Sequence, residues 1–87
     1  SLRNPAAFNN VFGFRPSQGR VPADTLDPFY GQLAVEGPLG RSIEDVAMLL
    51  SVQAGYDARA PLSLDDAGFR YEDKLAIDPK GLRFGWL

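Results

Sequence analysis

The apolar residues of this 87-residue chain fall into short stretches of differing period, and the period of each decides what it can form. Asn4-Pro5 followed by Ala6, Ala7 and Phe8 predicts one or two helical turns over residues 5 to 10. Asn4 would accept from the free amides of the first turn, and Pro5 would take the first helical position, where a missing N–H is no loss. Val11 to Arg15 is β-prone, with Gly13 marking a close backbone approach and Pro16 the stop. Ser17 to Gly31 is rich in turn residues and reads as loop, and Gln32 to Val35 as a short extended segment closed by Gly37-Pro38.

The firmest element follows. Ser42, with Asp45 three residues on, is a near relative of the capping box, and it precedes a helix predicted from Ile43 to Ala54. Ile43, Val46, Ala47, Leu50 and Ala54 share one face, while Met48, Leu49 and Val52 occupy much of the opposite side. Only a narrow polar strip near Glu44 and Ser51 remains. Burying each of those three extra side chains contributes roughly 1.5 to 3 kcal/mol, so leaving all of them in water forfeits an amount comparable with the net stability of a small domain. The helix is therefore expected to need a partner surface beyond this chain. Gly55 to Pro61 is loop, a weak helix is expected around Asp65 to Leu75, and alternation of Leu82, Phe84 and Trp86 with Arg83 and Gly85 predicts a terminal strand.

Length permits one small unit or part of one. The formal net charge of −2, with nine scattered Lys and Arg, gives no basis for direct nucleic-acid binding. No apolar run approaches the roughly 20 residues needed to span a bilayer, so no membrane association is expected. Nothing resembles a signal peptide, and the expected location is the cytoplasm. The chain has no cysteine and no histidine. That removes thiolate nucleophiles, a Ser-His-Asp triad, and zinc sites of the Cys or His kind from what these residues alone can build. No metal or cofactor is expected, and a nucleophilic serine would have to pass its proton to a lysine, an amine, or a group outside the chain.

Helix, strand, helix, strand with glycine-rich junctions suggests α/β layering without identifying a function. The residues themselves go further. Ser1-Leu2-Arg3-Asn4-Pro5-Ala6, Gly13-Phe14-Arg15-Pro16-Ser17, Gly19-Arg20-Val21-Pro22, Gly37-Pro38-Leu39, Arg41-Ser42, Glu44-Asp45-Val46-Ala47, Ala54-Gly55, Pro61-Leu62-Ser63-Leu64 and Lys80-Gly81-Leu82-Arg83 follow one another as in the amidase signature family. The chain resembles that family in order and spacing, the likeness thinning between Asp65 and Asp78. The resemblance implies an α/β fold with a large mixed β-sheet covered by helices on both faces. Residues 1–87 would be an internal part of that single domain, inactive and poorly folded by themselves.

The resemblance also implies chemistry. Family members hydrolyse amides through an acyl-serine intermediate, with a serine nucleophile, a relay serine preceded by a cis peptide bond, and a lysine base. Ser1, directly before a hydrophobic residue and an arginine, occupies the nucleophile's position, whereas the relay serine and the lysine would precede it. Lys74 and Lys80 match neither role. A neutral lysine acting through a relay serine supplies a base without histidine, and backbone amides, helped by the positive end of the helix at Asn4-Pro5, would stabilise the oxyanion. Arg3 and Asn4 stand near the site, as substrate-pocket residues or as structural ones: Arg3 tying loops or touching substrate, Asn4 capping the helix or lying at the pocket edge. Gly40, Ala58, Ala60, Arg15 and Ser17 depart from frequent family residues, which bears on subfamily more than on reaction class.

Three functions stay open. An amidase acting on a small-molecule amide leads. A glutaminase-type A subunit of an aminoacyl-tRNA amidotransferase complex is the alternative, with partner subunits; a homodimer is equally compatible with the residues. An N-terminal-nucleophile hydrolase, with the Ser1 amine as its own base, is disfavoured by the length and the helix-first order.

Overall fold

A computed structural model describes residues 2–23, 27, 31, 33–65 and 70–87. Helix α1 spans Arg3–Asn9, strand β1 Phe12–Gly13, strand β2 Leu39–Gly40 and helix α2 Ile43–Gln53, followed by a 3-10 helix at Tyr71–Lys74. The strands pair antiparallel, Phe12 opposite Gly40 and Gly13 opposite Leu39. The Phe14 amide extends the ladder by donating to the Pro38 carbonyl at 3.1 Å. The α/β character expected from the sequence is present, while the large sheet implied by the resemblance is absent among the described residues.

Helix α1 begins two residues earlier than its sequence suggests, and this overturns the capping role of Asn4. Leu2 stands at the cap position in helical conformation, with no side-chain hydrogen bond, and its carbonyl accepts from Ala6 at 3.2 Å. Asn4 and Pro5 are therefore the second and third helical residues. Pro5 is tolerated there because no N–H of the first turn has an intrahelical acceptor. The other end is closed by Asn10 at φ 51°, where the Val11 amide reaches the Ala6 carbonyl at 3.0 Å and the Asn10 amide the Ala7 carbonyl at 3.3 Å. This pair of bonds is a Schellman motif, with asparagine in the left-handed place more often held by glycine.

Helix α2 forms within a residue of its expected bounds. Ser42 is extended, and its Oγ accepts from the Asp45 amide at 3.1 Å. Val46, Ala47 and Leu50 are buried with Ala6 and Ala60, while Met48, Leu49 and Val52 are exposed, Val52 at 79%. Ile43, counted on the buried face, is half exposed. Helix α2 packs on both strands and on the 3-10 helix, and α1 packs on β1. Gly40 makes the first of these contacts possible: a methyl group there would meet Asp45 Cβ and Val46 Cγ2 at 3.0 Å.

Three expected elements differ. Leu33 to Val35 forms a turn and irregular chain, and Gln32 lies outside the described residues. The strand forms instead just after the buried Pro38, which cannot donate but offers its carbonyl to the ladder. The weak helix expected over 65–75 is a single 3-10 turn at Tyr71–Lys74, residues 66–69 lying outside the described set. Leu82, Phe84 and Trp86 form no strand, because none of the described residues pairs with them, and Trp86 is 99% exposed. Among the described residues no helix is long and apolar enough to cross a membrane.

The Ser42 cap supplies a stability test. Ser42→Ala should lower unfolding free energy by about 1 kcal/mol through the lost first-turn acceptor. Chemical denaturation checks this loss, and activity per folded molecule, titrated on the same samples, should stay unchanged.

Candidate active site

Carried two residues past β1, the alternation of an extended chain puts Arg15 on the Gly13 side and Phe14 on the Phe12 side, and Arg15 lines one cleft while Phe12 and Phe14 line another. The Gly13 face meets the start of α1, where Leu2 is half-buried and Arg3 exposed. Leu2, Arg3, Gly13 and Arg15 line an open cleft of about 750 Å³, closed on its far side by Leu33, Ala34, Val35 and Glu36. Its charged rim thus carries the guanidinium groups of Arg3 and Arg15 and the carboxylate of Glu36. Among the described residues none of these three charged side chains forms a hydrogen bond or ion pair.

Ser1 lies outside the described residues and is joined to this cleft by its bond to Leu2. Of the other residues expected near the site, Arg3 lines the cleft, and among the described residues nothing ties it to a loop. Asn4 is exposed on α1 and is not among the lining residues. Lys74 ends the 3-10 helix, and Lys80 sits in a turn where its amide donates to Asp78 Oδ1 at 2.9 Å; neither lines the cleft. Arg15, expected at the end of a β-prone run and as a departure from frequent family residues but not as a site residue, also lines the cleft. Its spacing of two from Gly13 was the available signal, since a strand places both on one face. Among the described residues no group of three carboxylates converges as a metal site.

The opposite face of β1 borders an apolar cleft of about 340 Å³, with Phe12, Phe14, Ile43, Leu50, Tyr71 and Leu75 in its wall. The 3-10 helix is held against α2 there by Ser51, which the helical pattern had placed on a solvent-facing polar strip. Ser51 is half-buried instead. Its Oγ accepts from the Tyr71 amide at 2.8 Å, and its single proton lies between the Ala47 carbonyl and Glu72 Oε2. Arg70 reaches Glu72 Oε1 at 2.7 Å, and Arg20 donates to the Tyr71 hydroxyl at 3.2 Å. The Ser51 hydroxyl, then the Glu72 amide and Arg70, hold the Glu72 carboxyl from its ordinary 4.5 down to about 2. Farther along, Arg59 closes a turn by a forked contact with Asp57, at 2.7 and 3.0 Å, and lowers that carboxyl to about 2.

Compared with models of known families, residues 1–87 match the one described as Amidase. Among curated proteins, the chain is 41% identical over 85 residues to the A subunit of glutamyl-tRNA(Gln) amidotransferase from Listeria welshimeri serovar 6b, covering 98% of this chain and 18% of that protein. Proteins of the same name from Pseudomonas fluorescens (strain SBW25) and Methanosarcina acetivorans are each 40% identical over 85 residues, again covering 98% of this chain and 18% of theirs. The chain thus spans under a fifth of the length of these relatives. No solved structure gives a significant match.

The Ser51–Glu72 contact sets a pH dependence. A carboxyl whose folded value lies below its ordinary one stabilises the folded state above pH 4.5, and that contribution fades as pH falls from 4.5 toward 2. Protection of the Tyr71 amide from hydrogen exchange, corrected for intrinsic rate and referred to the Ala54 amide within the α2 end, should therefore fall over that interval. Glu72→Gln should lower the protection at neutral pH and flatten its pH dependence.

Proposed function

The chain belongs to the amidase family, and we propose that it supplies the nucleophile-bearing part of an amide hydrolase acting through an acyl-serine intermediate. What supports this reading is the family match along residues 1–87, taken together with the resemblance of Ser1-Leu2-Arg3 to the family's nucleophile motif. The cleft beside Leu2 supports it, since about 750 Å³ falls within the usual range for small-molecule sites.

In this reading the Ser1 hydroxyl attacks the carbonyl carbon of the amide. Its proton passes through a relay serine to a neutral lysine, both supplied by residues outside these 87, and returns to the nitrogen as the C–N bond breaks. The amine leaves, and the acyl group remains esterified to Ser1. Water then attacks the ester through the same base, releasing a carboxylic acid and restoring the hydroxyl. Arg3 and Arg15 line the cleft with Glu36, and the excess of positive charge there would favour substrates with an electron-rich or anionic group.

A second reading rests on the relatives' name. With 41% identity to the A subunit of a glutamyl-tRNA(Gln) amidotransferase, the chain would form part of a glutaminase-type protein, its amide that of glutamine and its partners the other subunits of an amidotransferase. Copurification of such subunits with a protein carrying this chain, together with release of ammonia from glutamine in preference to simple amides, distinguishes this reading from a free-standing amidase.

In a protein carrying this chain, Ser1→Ala should lower kcat by on the order of 10⁴ while KM changes little, because the covalent route disappears and the pocket does not. Labelling with a serine-directed phosphonate and mapping of the modified peptide should place the adduct on Ser1. An adduct on a different serine, with Ser1 unmodified, removes Ser1 from the nucleophile's role.

A further inference from the structure

We propose that Gly13 and Gly37 are positioning residues for the nucleophile, because both lie flush against Leu2, the residue bonded to Ser1; the inference rests on the reading of Ser1 as nucleophile. Neither glycine is needed for its backbone torsion, since the positive-φ glycines among the described residues are Gly19, Gly55 and Gly81. What they provide is space. A methyl group on Gly13 would come to 2.8 Å from both the Leu2 carbonyl oxygen and Ala6 Cβ. These two residues make the first bond of α1, so β1 touches the opening turn of that helix backbone to backbone. A methyl group on Gly37 would meet the Phe14 carbonyl oxygen, Pro16 Cδ at 2.7 Å and Leu2 Cδ1 at 2.9 Å.

The two glycines therefore seat different parts of one residue, Gly13 its carbonyl and Gly37 the tip of its side chain. Together they fix both the plane of the peptide leaving Leu2 and the direction of its side chain. Apart from the side-chain tips Leu2 Cδ1 and Leu39 Cδ2, the opposing atoms have little freedom to yield. Two are main-chain oxygens, one is the short Cβ of a buried helical alanine, and one belongs to a proline ring. A methyl group at Gly13 must consequently lift the first turn of α1 from β1, and the displacement passes along the covalent chain to Ser1. Displacing a reacting atom by about 1 Å can lower a rate by about 10²-fold.

Gly40 and Gly85 provide the contrast. A methyl group on Gly40 would crowd Asp45 and Val46 of α2 at 3.0 Å, its three nearest atoms all lying in that helix, whereas at Gly85 it would have no neighbour within 4 Å. If Gly13 and Gly37 merely fill the fold, all crowding substitutions should act alike on stability and none on the rate of the folded molecule.

The experiment measures the limiting rate of phosphonate labelling per folded molecule, well below the melting temperature, in a protein carrying this chain. Gly13→Ala and Gly37→Ala should label about 10- to 100-fold more slowly than the parent, with the adduct still on Ser1. Gly40→Ala and Gly85→Ala should label at the parent rate. Should either slow variant fail to fold, Leu2→Ala, which empties the Gly37 seat without crowding it, should also slow labelling. Parent-like rates per folded molecule in every variant that folds, Leu2→Ala included, would overturn the positioning role and leave the nucleophile assignment standing. Labelling of the parent at another serine would overturn both.

Discussion

The contact between Phe12–Gly13 and Leu39–Gly40 is only two residue pairs long, yet both helices are fixed by it. So short a ladder is marginal by itself and holds only where apolar surface packs against it. Each strand meets this requirement with a glycine. Gly13 lets the first turn of α1 settle on β1, and Gly40 lets α2 settle on β2. The buried side chains Ala6, Val46, Ala47 and Leu50 then close over the pair. An alanine in place of Gly40, with contacts at 3.0 Å, would require α2 to stand a few tenths of an ångström farther out.

Local signals were legible in the sequence, and pairings were not. The Ser42 cap and the span of α2 followed from hydroxyl chemistry and helical period, because both depend on neighbours four residues away or fewer. The steric role of Gly13 was readable from its place in a β-prone run. Its partner was not, because β2 is a pair of residues with no alternation to detect. Asn4 misled for a physical reason: it has the right chemistry for a cap, but the turn ahead of Pro5 was free to become helical. The pattern at Leu82, Phe84 and Trp86 showed what a strand would need and could not show whether a neighbour was there. Of the candidate site, Arg3 beside a cleft was within reach. Arg15 required knowing that β1, which ends two residues before it, turns Gly13 toward Leu2.

The apolar surface left in water carries its own information. Met48, Leu49 and Val52 lie on the side of α2 away from the core, and Phe8, Phe84 and Trp86 are more exposed still. Exposed apolar residues of this size, when contiguous, mark contact surfaces rather than ordinary solvent-facing positions. The 3-10 helix shows how one such surface is managed within the chain. A single hydroxyl, Ser51, organises a main-chain amide and a carboxylate, bringing Tyr71 and Leu75 to the apolar cleft that Ile43 and Leu50 also line.

The connection that joins β1 to β2 runs from residue 14 to residue 38, and its length is nearly neutral for the ladder it closes. Closure entropy grows only with the logarithm of loop length, so doubling this connection would weaken the pairing by about 0.6 kcal/mol. One carbon atom added at Gly13 meets two fixed atoms at 2.8 Å and has no comparable latitude. Evolution can therefore rewrite the length of the cleft's outer wall, where Leu33 to Glu36 lie, far more freely than it can add a methyl group to the floor beneath Leu2. In this scaffold the outer border of the cleft can change in extent at little cost, and its floor cannot take up one more carbon.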